Sequence, residues 1–110
     1  MQISDLDIAK KMVNLKNSAN SRNLEFDLKF SDLKSLLTRK TCYFTGRRLD
    51  DGTRSFDRVD NDLGYITGNV VACDKNLNNK KANLTIAEIE AIYEGIQKLK
   101  AAGKIPAKTI

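Results

Sequence analysis

Histidine is absent from all 110 residues, and that absence excludes more than any other feature of the chain. Without imidazole there is no histidine general base, no histidine metal ligand and no Cys–His nucleophile pair. Cysteine is scarce: Cys42 and Cys73 are too few for a disulfide scaffold and cannot alone close a four-ligand zinc site. No apolar run approaches the roughly 20 residues that a membrane-spanning helix needs. The opening MQISDLDIAKK turns charged at once, so no secretory signal is expected there. Reduced thiols and no signal point to a reducing compartment, the cytoplasm.

What remains is a small chain with a modest core. It is 41% hydrophobic and 30% charged, which is globular rather than disordered composition. Lys plus Arg number 19 against 14 Asp plus Glu, a net charge of +5. So mild an excess favours a nucleic-acid partner only weakly.

We read residues 1–110 as one domain with four zones. Residues 1–40 are a lead-in. Ser4 is a plausible N-cap with Asp5 and Asp7 in the first turn, and Ile8, Met12, Leu15 and Ala19 repeat at helical spacing. A helix over about 4–18 is expected, fraying in the polar stretch from Asn17 to Asn23. In LEFDLKF, residues 24–30, Leu24, Phe26, Leu28 and Phe30 alternate with charged residues, the pattern of a half-buried strand. Ser31 and Asp32 then look like caps for a short helix through Leu33, Leu36 and Leu37. Residues 41–84 hold most of the glycines and polar residues. Residues 85–103 form a helix with a Thr85–Glu88 capping box, an apolar face of Ile89, Ile92, Ile96 and Leu99, and Gly103 as its stop. Residues 104–110 are a basic tail whose Pro106 forbids further helix.

Within the middle zone, Ser55 to Val59 suits a strand, Asn61 to Gly68 is turn chemistry, and Asn69 to Ala72 suits a second strand. Residues 74–83 fit a short polar helix. Four runs stand out: Cys42-Tyr43-Phe44-Thr45-Gly46, Asp57-Arg58-Val59-Asp60-Asn61, Gly64-Tyr65 before Gly68-Asn69-Val70, and Asn78 with Lys81. Together they resemble the HNH, or His-Me finger, endonucleases, in particular the small proteins of tailed-phage genomes that carry DRIDN, GY..GNV and N..K motifs. The resemblance covers about residues 15–85. It implies an α+β fold with a ββα-metal core near 53–84, flanked by helices at about 4–18 and 86–102. For a phage-encoded chain the compartment is the host cytoplasm.

The resemblance also implies roles. Asp57 matches the family's metal-binding carboxylate, and Asn78 the metal ligand one turn into the helix. Asn69 matches the residue that braces the loop and holds the base. Arg58 stands where the family has its catalytic histidine. Arginine cannot be a base, because its guanidinium stays protonated and has no acceptor, but it can clamp a phosphate. Asp60 is the nearest substitute base, with Asp62 and Tyr65 behind it. The implied cofactor is Mg²⁺ or Mn²⁺, since hard cations take oxygen ligands. Relatives hold a structural zinc on two CxxC pairs. Here those positions are Cys42 with Thr45 and Asp74 with Leu77, Cys73 lying one place early, so no structural zinc is expected and apolar packing must replace it. Arg47, Arg48, Arg54, Lys75, Lys80 and Lys81 flank the site as a phosphate track for duplex DNA.

Plainer readings stand beside these. Asp57 and Arg58 are also compatible with a structural ion pair, Asp60-Asn61 with turn chemistry, and Asn78 with a solvated helix face. Three functions follow: a metal-dependent DNA endonuclease, a catalytically silent DNA-binding protein of the same fold, or a module that binds a host enzyme. The retained Asp57 and Asn78 favour the first.

Overall fold

The computed structural model describes residues 3–105. In chain order it contains α1 (Asp5–Ser21), α2 (Phe30–Thr38), β1 (Arg54–Arg58), β2 (Val70–Asp74), α3 (Lys75–Lys81) and α4 (Ile86–Ala101). Helices and one small sheet make the fold α+β. The last residues of the basic tail, 106–110, lie outside the described residues.

α1 starts where its cap chemistry places it: Ser4 Oγ accepts the Asp7 N–H at 3.1 Å. Such a cap is worth about 1 kcal/mol. The helix does not fray at residue 17. Ala19 is fully buried and anchors its last turn, so the helix continues to Ser21. Asn23 then takes a left-handed conformation (φ 58°), and the Leu24 N–H closes back on the Ala19 carbonyl at 2.8 Å.

The expected strand over residues 24–30 does not form. The segment is extended but pairs with a loop: Phe26 makes a single parallel bridge to Tyr65. The Tyr65 N–H donates to the Glu25 carbonyl at 2.8 Å, and the Asp27 N–H to the Tyr65 carbonyl at 3.0 Å. The approach is close enough to require Gly64, where an added Cβ would sit 2.1 Å from the Glu25 carbonyl oxygen. Alternation reported burial of Leu28 correctly but not a ladder, because a loop offers no continuous edge. Phe30 already belongs to α2. Asp32 is not the cap residue: it lies in the first turn and accepts the Lys29 N–H at 2.9 Å.

β1 and β2 pair antiparallel, Arg54 opposite Asp74 and Arg58 opposite Val70, and α3 packs back on both. Asp74 ends β2 and caps α3, its Oδ1 accepting the Asn76 and Leu77 N–H groups. The core under the sheet holds Cys42, Leu49, Ala72 and Cys73, with Leu36, Phe56 and Leu77 packed against it. Loop 41–48 closes at its neck through a Thr41–Arg48 bridge and the Cys42 N–H on the Arg47 carbonyl.

α4 has the expected capping box: Thr85 Oγ1 accepts the Glu88 N–H, and Glu88 Oε1 accepts the Thr85 N–H. Yet none of its residues is buried. The radius of gyration, 16.2 Å, exceeds the ~13 Å of a compact chain of this length.

Candidate functional site

Side chains alternate along a strand, so Ser55 and Asp57 share one face of β1. Helical spacing puts Asn78 and Lys81 on one face of α3, three residues apart. The two faces meet. Asn78 Nδ2 donates to Ser55 Oγ at 2.8 Å and to the Phe56 carbonyl at 3.3 Å. A carbonyl only accepts, so the amide nitrogen faces β1 and these bonds leave the amide oxygen unused. Lys81 Nζ lies 3.3 Å from each Asp57 carboxylate oxygen and donates to the Arg58 carbonyl at 3.2 Å.

Asp57 is the unusual member. It is only 4% exposed, and its Oδ2 is buried with no hydrogen-bond donor. Burial pushes its pKa above the usual carboxylate value, and the positive charges of Lys81 and Arg58 only partly offset this. A buried carboxylate with an orphaned oxygen is a costly arrangement that functional sites retain. Among the described residues, no three His, Cys, Asp or Glu side chains cluster, so any hard cation here would take one carboxylate, an amide oxygen and non-protein ligands.

The loop between the strands is braced from inside. Asn69 is buried; its Oδ1 accepts the Asp60 N–H, and its Nδ2 donates to the carbonyls of Asp60 and Gly64. Arg58 Nη1 donates to the carbonyls of Asn61 and Leu63, and its guanidinium lies 5.6 Å from the Tyr65 ring centre. One of its two terminal nitrogens is therefore committed to the loop. Asp60 Oδ1 accepts the Asp62 N–H in a local turn. Asn61 ties this loop to the start of α4, donating to the Leu84 carbonyl at 2.9 Å.

The six basic residues do not form one free track. Arg47, Arg48, Lys75 and Lys80 are exposed. Lys81 is turned inward onto Asp57, its side chain 10% exposed. Arg54 is held by Asp51 and the Arg39 carbonyl. An open groove of about 1060 Å³ reaches Ser55 and Phe56 and is bordered by Lys11, Lys34, Lys40, Arg48 and Arg54 against three aspartates. Sequence reasoning missed Lys11, Lys34 and Lys40, whose place on this groove follows only from how α1 and α2 pack. It also missed Ser55, whose signal period 2 carried, and the inward turn of Lys81, which only the packing of α3 on β1 decides.

Cys42 and Cys73 share the apolar cluster with Leu77. Burial, with Asp57, Cys42 and Asp74 nearby, pushes the Cys73 thiol up to about 12. Burial also raises Cys42, but its hydrogen bonds to Thr45, Asp74 and Phe44 outweigh that and leave it lowered.

No protein-family model matches the chain. It is 33% identical over 86 residues to an uncharacterized 29.0 kDa protein from the dda–modA intergenic region of enterobacteria phage T4. It is 36% identical over 77 residues to uncharacterized protein R423 of Acanthamoeba polyphaga mimivirus. These matches take in 74% and 69% of this chain but span only 35% and 14% of those relatives. Among solved structures the chain is similar to the rare-cutting HNH restriction endonuclease PacI, with a TM-score of 0.56 at 18% identity, covering 90% of this chain and 82% of that one. With two antiparallel strands followed directly by a helix that packs back on them, and a neighbour matched over nearly its whole length, this chain has an HNH-like fold.

Proposed function

We propose that the chain is a metal-dependent DNA endonuclease of the small-phage HNH type, hydrolysing phosphodiester bonds at the β1–α3 junction. The observation that carries this reading is the Asp57 carboxylate, buried with an orphaned oxygen on the strand to which Asn78 bonds through Ser55 and Phe56, on an HNH-like fold. The donor set fits Mg²⁺ or Mn²⁺: Asp57 supplies a carboxylate oxygen and Asn78 an amide oxygen. Such a cation supplies charge stabilisation at the leaving 3′ oxygen. The chain's own residues do the rest. Asn69 and Arg58 hold the 60–65 loop against β1. The Arg58 donors not engaged by the loop clamp the scissile phosphate. The second carboxylate oxygen of Asp60 takes the proton of the attacking water. Arg47, Arg48, Lys75 and Lys80 contact the duplex backbone, with Arg54 along the groove.

One observation favours a second reading, a silent DNA-binding protein. Lys81 already places a positive charge on both Asp57 oxygens, and arginine replaces the usual base. In the endonuclease reading, Lys81 balances the Asp57 carboxylate, which with Asn78 would hold the divalent cation.

A supercoiled-plasmid assay with Mg²⁺ or Mn²⁺ separates the two. The wild type should nick or linearise the plasmid, and Asp57→Ala should stop cleavage while leaving duplex binding intact. Arg58→His, which restores a base of suitable pKa, should raise the rate by about 10²–10⁴-fold. If both wild type and Arg58→His stay at background yet bind duplex, with a log–log salt slope near −4 to −5 for about four to six phosphates, the silent binder is the right reading.

A further inference from the structure

A cleft of about 270 Å³ lies where α2, loop 41–48 and β2 meet, and the endonuclease reading gives it no role. Leu36, Val71 and Tyr43 line it with apolar and aromatic surface, and Asp32, Ser35 and Arg39 add polar groups. The Tyr43 backbone is fixed. Its N–H donates to the Ala72 carbonyl at 2.9 Å, and the preceding Cys42 is buried and bonds to the Arg47 carbonyl across the loop neck at 2.7 Å. Tyr43 is nevertheless 61% exposed, and the ring of Phe44, itself 41% exposed, lies edge-to-face with it, the centroids 5.5 Å apart. A braced loop that presents an aromatic ring to an open cleft is a stacking platform. We propose that the cleft is a nucleobase site, in which an unpaired base of a bound DNA strand stacks on Tyr43.

The occupant follows from size, charge and polar groups. Pockets for drug-sized ligands start at about 300 Å³, so this cleft suits one flat ring system rather than a partner's helix. Charge selects an anionic strand: the stretch 33–49 carries Lys34, Arg39, Lys40, Arg47 and Arg48, all exposed, and no Asp or Glu. Arg39 enters no ion pair among the described residues, so its guanidinium is available to the phosphate next to the base. Both side-chain bonds of Asp32, from the Lys29 N–H at 2.9 Å and the Thr67 hydroxyl at 3.1 Å, fall on Oδ2. They hold the carboxylate in place and leave Oδ1, with the Ser35 hydroxyl, for the amino edge of a base. A base inside a duplex has its faces stacked and its edge paired, so the occupant is an unpaired nucleotide. This role rests on DNA being the partner, as proposed above.

Fluorescence anisotropy in EDTA tests this, with a labelled single strand of about 12 nucleotides and the same strand built from abasic residues. The abasic strand keeps every phosphate and loses every base. The wild type should bind the complete strand about 10-fold more tightly, the worth of one base–aromatic stack. Tyr43→Ala should abolish that preference and Tyr43→Phe should keep it, while Arg47→Ala with Arg48→Ala should weaken both strands alike. Tyr43 is exposed, so Tyr43→Ala should keep the wild-type circular dichroism. No binding of either strand at low salt overturns the proposal. So does equal affinity for the two strands, or a preference that survives Tyr43→Ala. The plasmid assay reads the endonuclease separately. A chain that cleaves plasmid but ignores bases loses the nucleobase site and keeps the endonuclease. A chain that prefers bases through Tyr43 but never cleaves keeps the nucleobase site and loses the endonuclease.

Discussion

The β1–β2–α3 site and α4 are adjacent in the chain and opposite in what orders them. The site is built from side chains that satisfy one another: Asn69 makes three hydrogen bonds to its own loop, Asn78 two to β1, and Lys81 bridges Asp57 and Arg58. α4 is ordered locally, by a capping box at one end and Gly103 (φ +71°) at the other, with no buried residue. The contrast teaches that good helix chemistry and tertiary burial are separate matters. Local signals determine where a helix starts and stops, and only packing determines whether its apolar face has a partner.

The sharpest way to test that contrast is to cut one side chain from each region. Lys81→Ala leaves Asp57 buried and unpaired and should cost about 3–5 kcal/mol in a urea titration. Ile92→Ala should change stability by no more than about 0.5 kcal/mol. Equal losses would mean that α4 packs on the core in solution.

A smaller effect lies at the junction between the two. Ala82 sits at φ 42°, ψ −115°, a conformation that a Cβ resists and glycine does not. Ala82→Gly should raise stability by about 1 kcal/mol, the relieved strain exceeding the entropy that glycine adds to the unfolded chain. A loss would place the strain elsewhere.

The smallest effect is confined to α4. Hydrogen bonds from the Thr85 backbone and hydroxyl hold the Glu88 pKa below its ordinary value. A depressed carboxylate contributes stability above its unfolded pKa and loses it as pH falls through the folded one. The first turn of α4 should therefore fray on acidification below about pH 4.5. Glu88→Gln should remove the pH dependence. Backbone chemical shifts read each region separately.

Much of this was legible in the sequence, and what was not has physical reasons. The caps of α1 and α4 came from side-chain chemistry at each end, and the two strands were placed to within one or two residues: β1 runs Arg54–Arg58 rather than 55–59, and β2 runs Val70–Asp74 rather than 69–72. Residues 24–30 misled because alternation reports which side chains are buried, not whether the neighbouring backbone is a strand. α1 outlasted its polar end because the burial of Ala19 outweighed local propensity. At the site, the convergence of Ser55 and Asp57 with Asn78 and Lys81 needs only the two periodicities of strand and helix. The pairing of Lys81 with Asp57, rather than with solvent, depends on the distance between α3 and β1. No single-sequence signal encodes that distance, and the same holds for the groove formed where α1 and α2 meet the 48–56 segment.

The central claim is that Asp57 and Asn78 together hold a divalent cation. Paramagnetic broadening by Mn²⁺, followed amide by amide, tests it without requiring turnover. Substoichiometric Mn²⁺ should broaden the signals of residues 55–58 and 77–81 first, and Asp57→Ala should abolish that pattern while the protein stays folded. Broadening that appears instead around the exposed Asp50–Asp51 turn, or is unchanged in Asp57→Ala, would contradict the account.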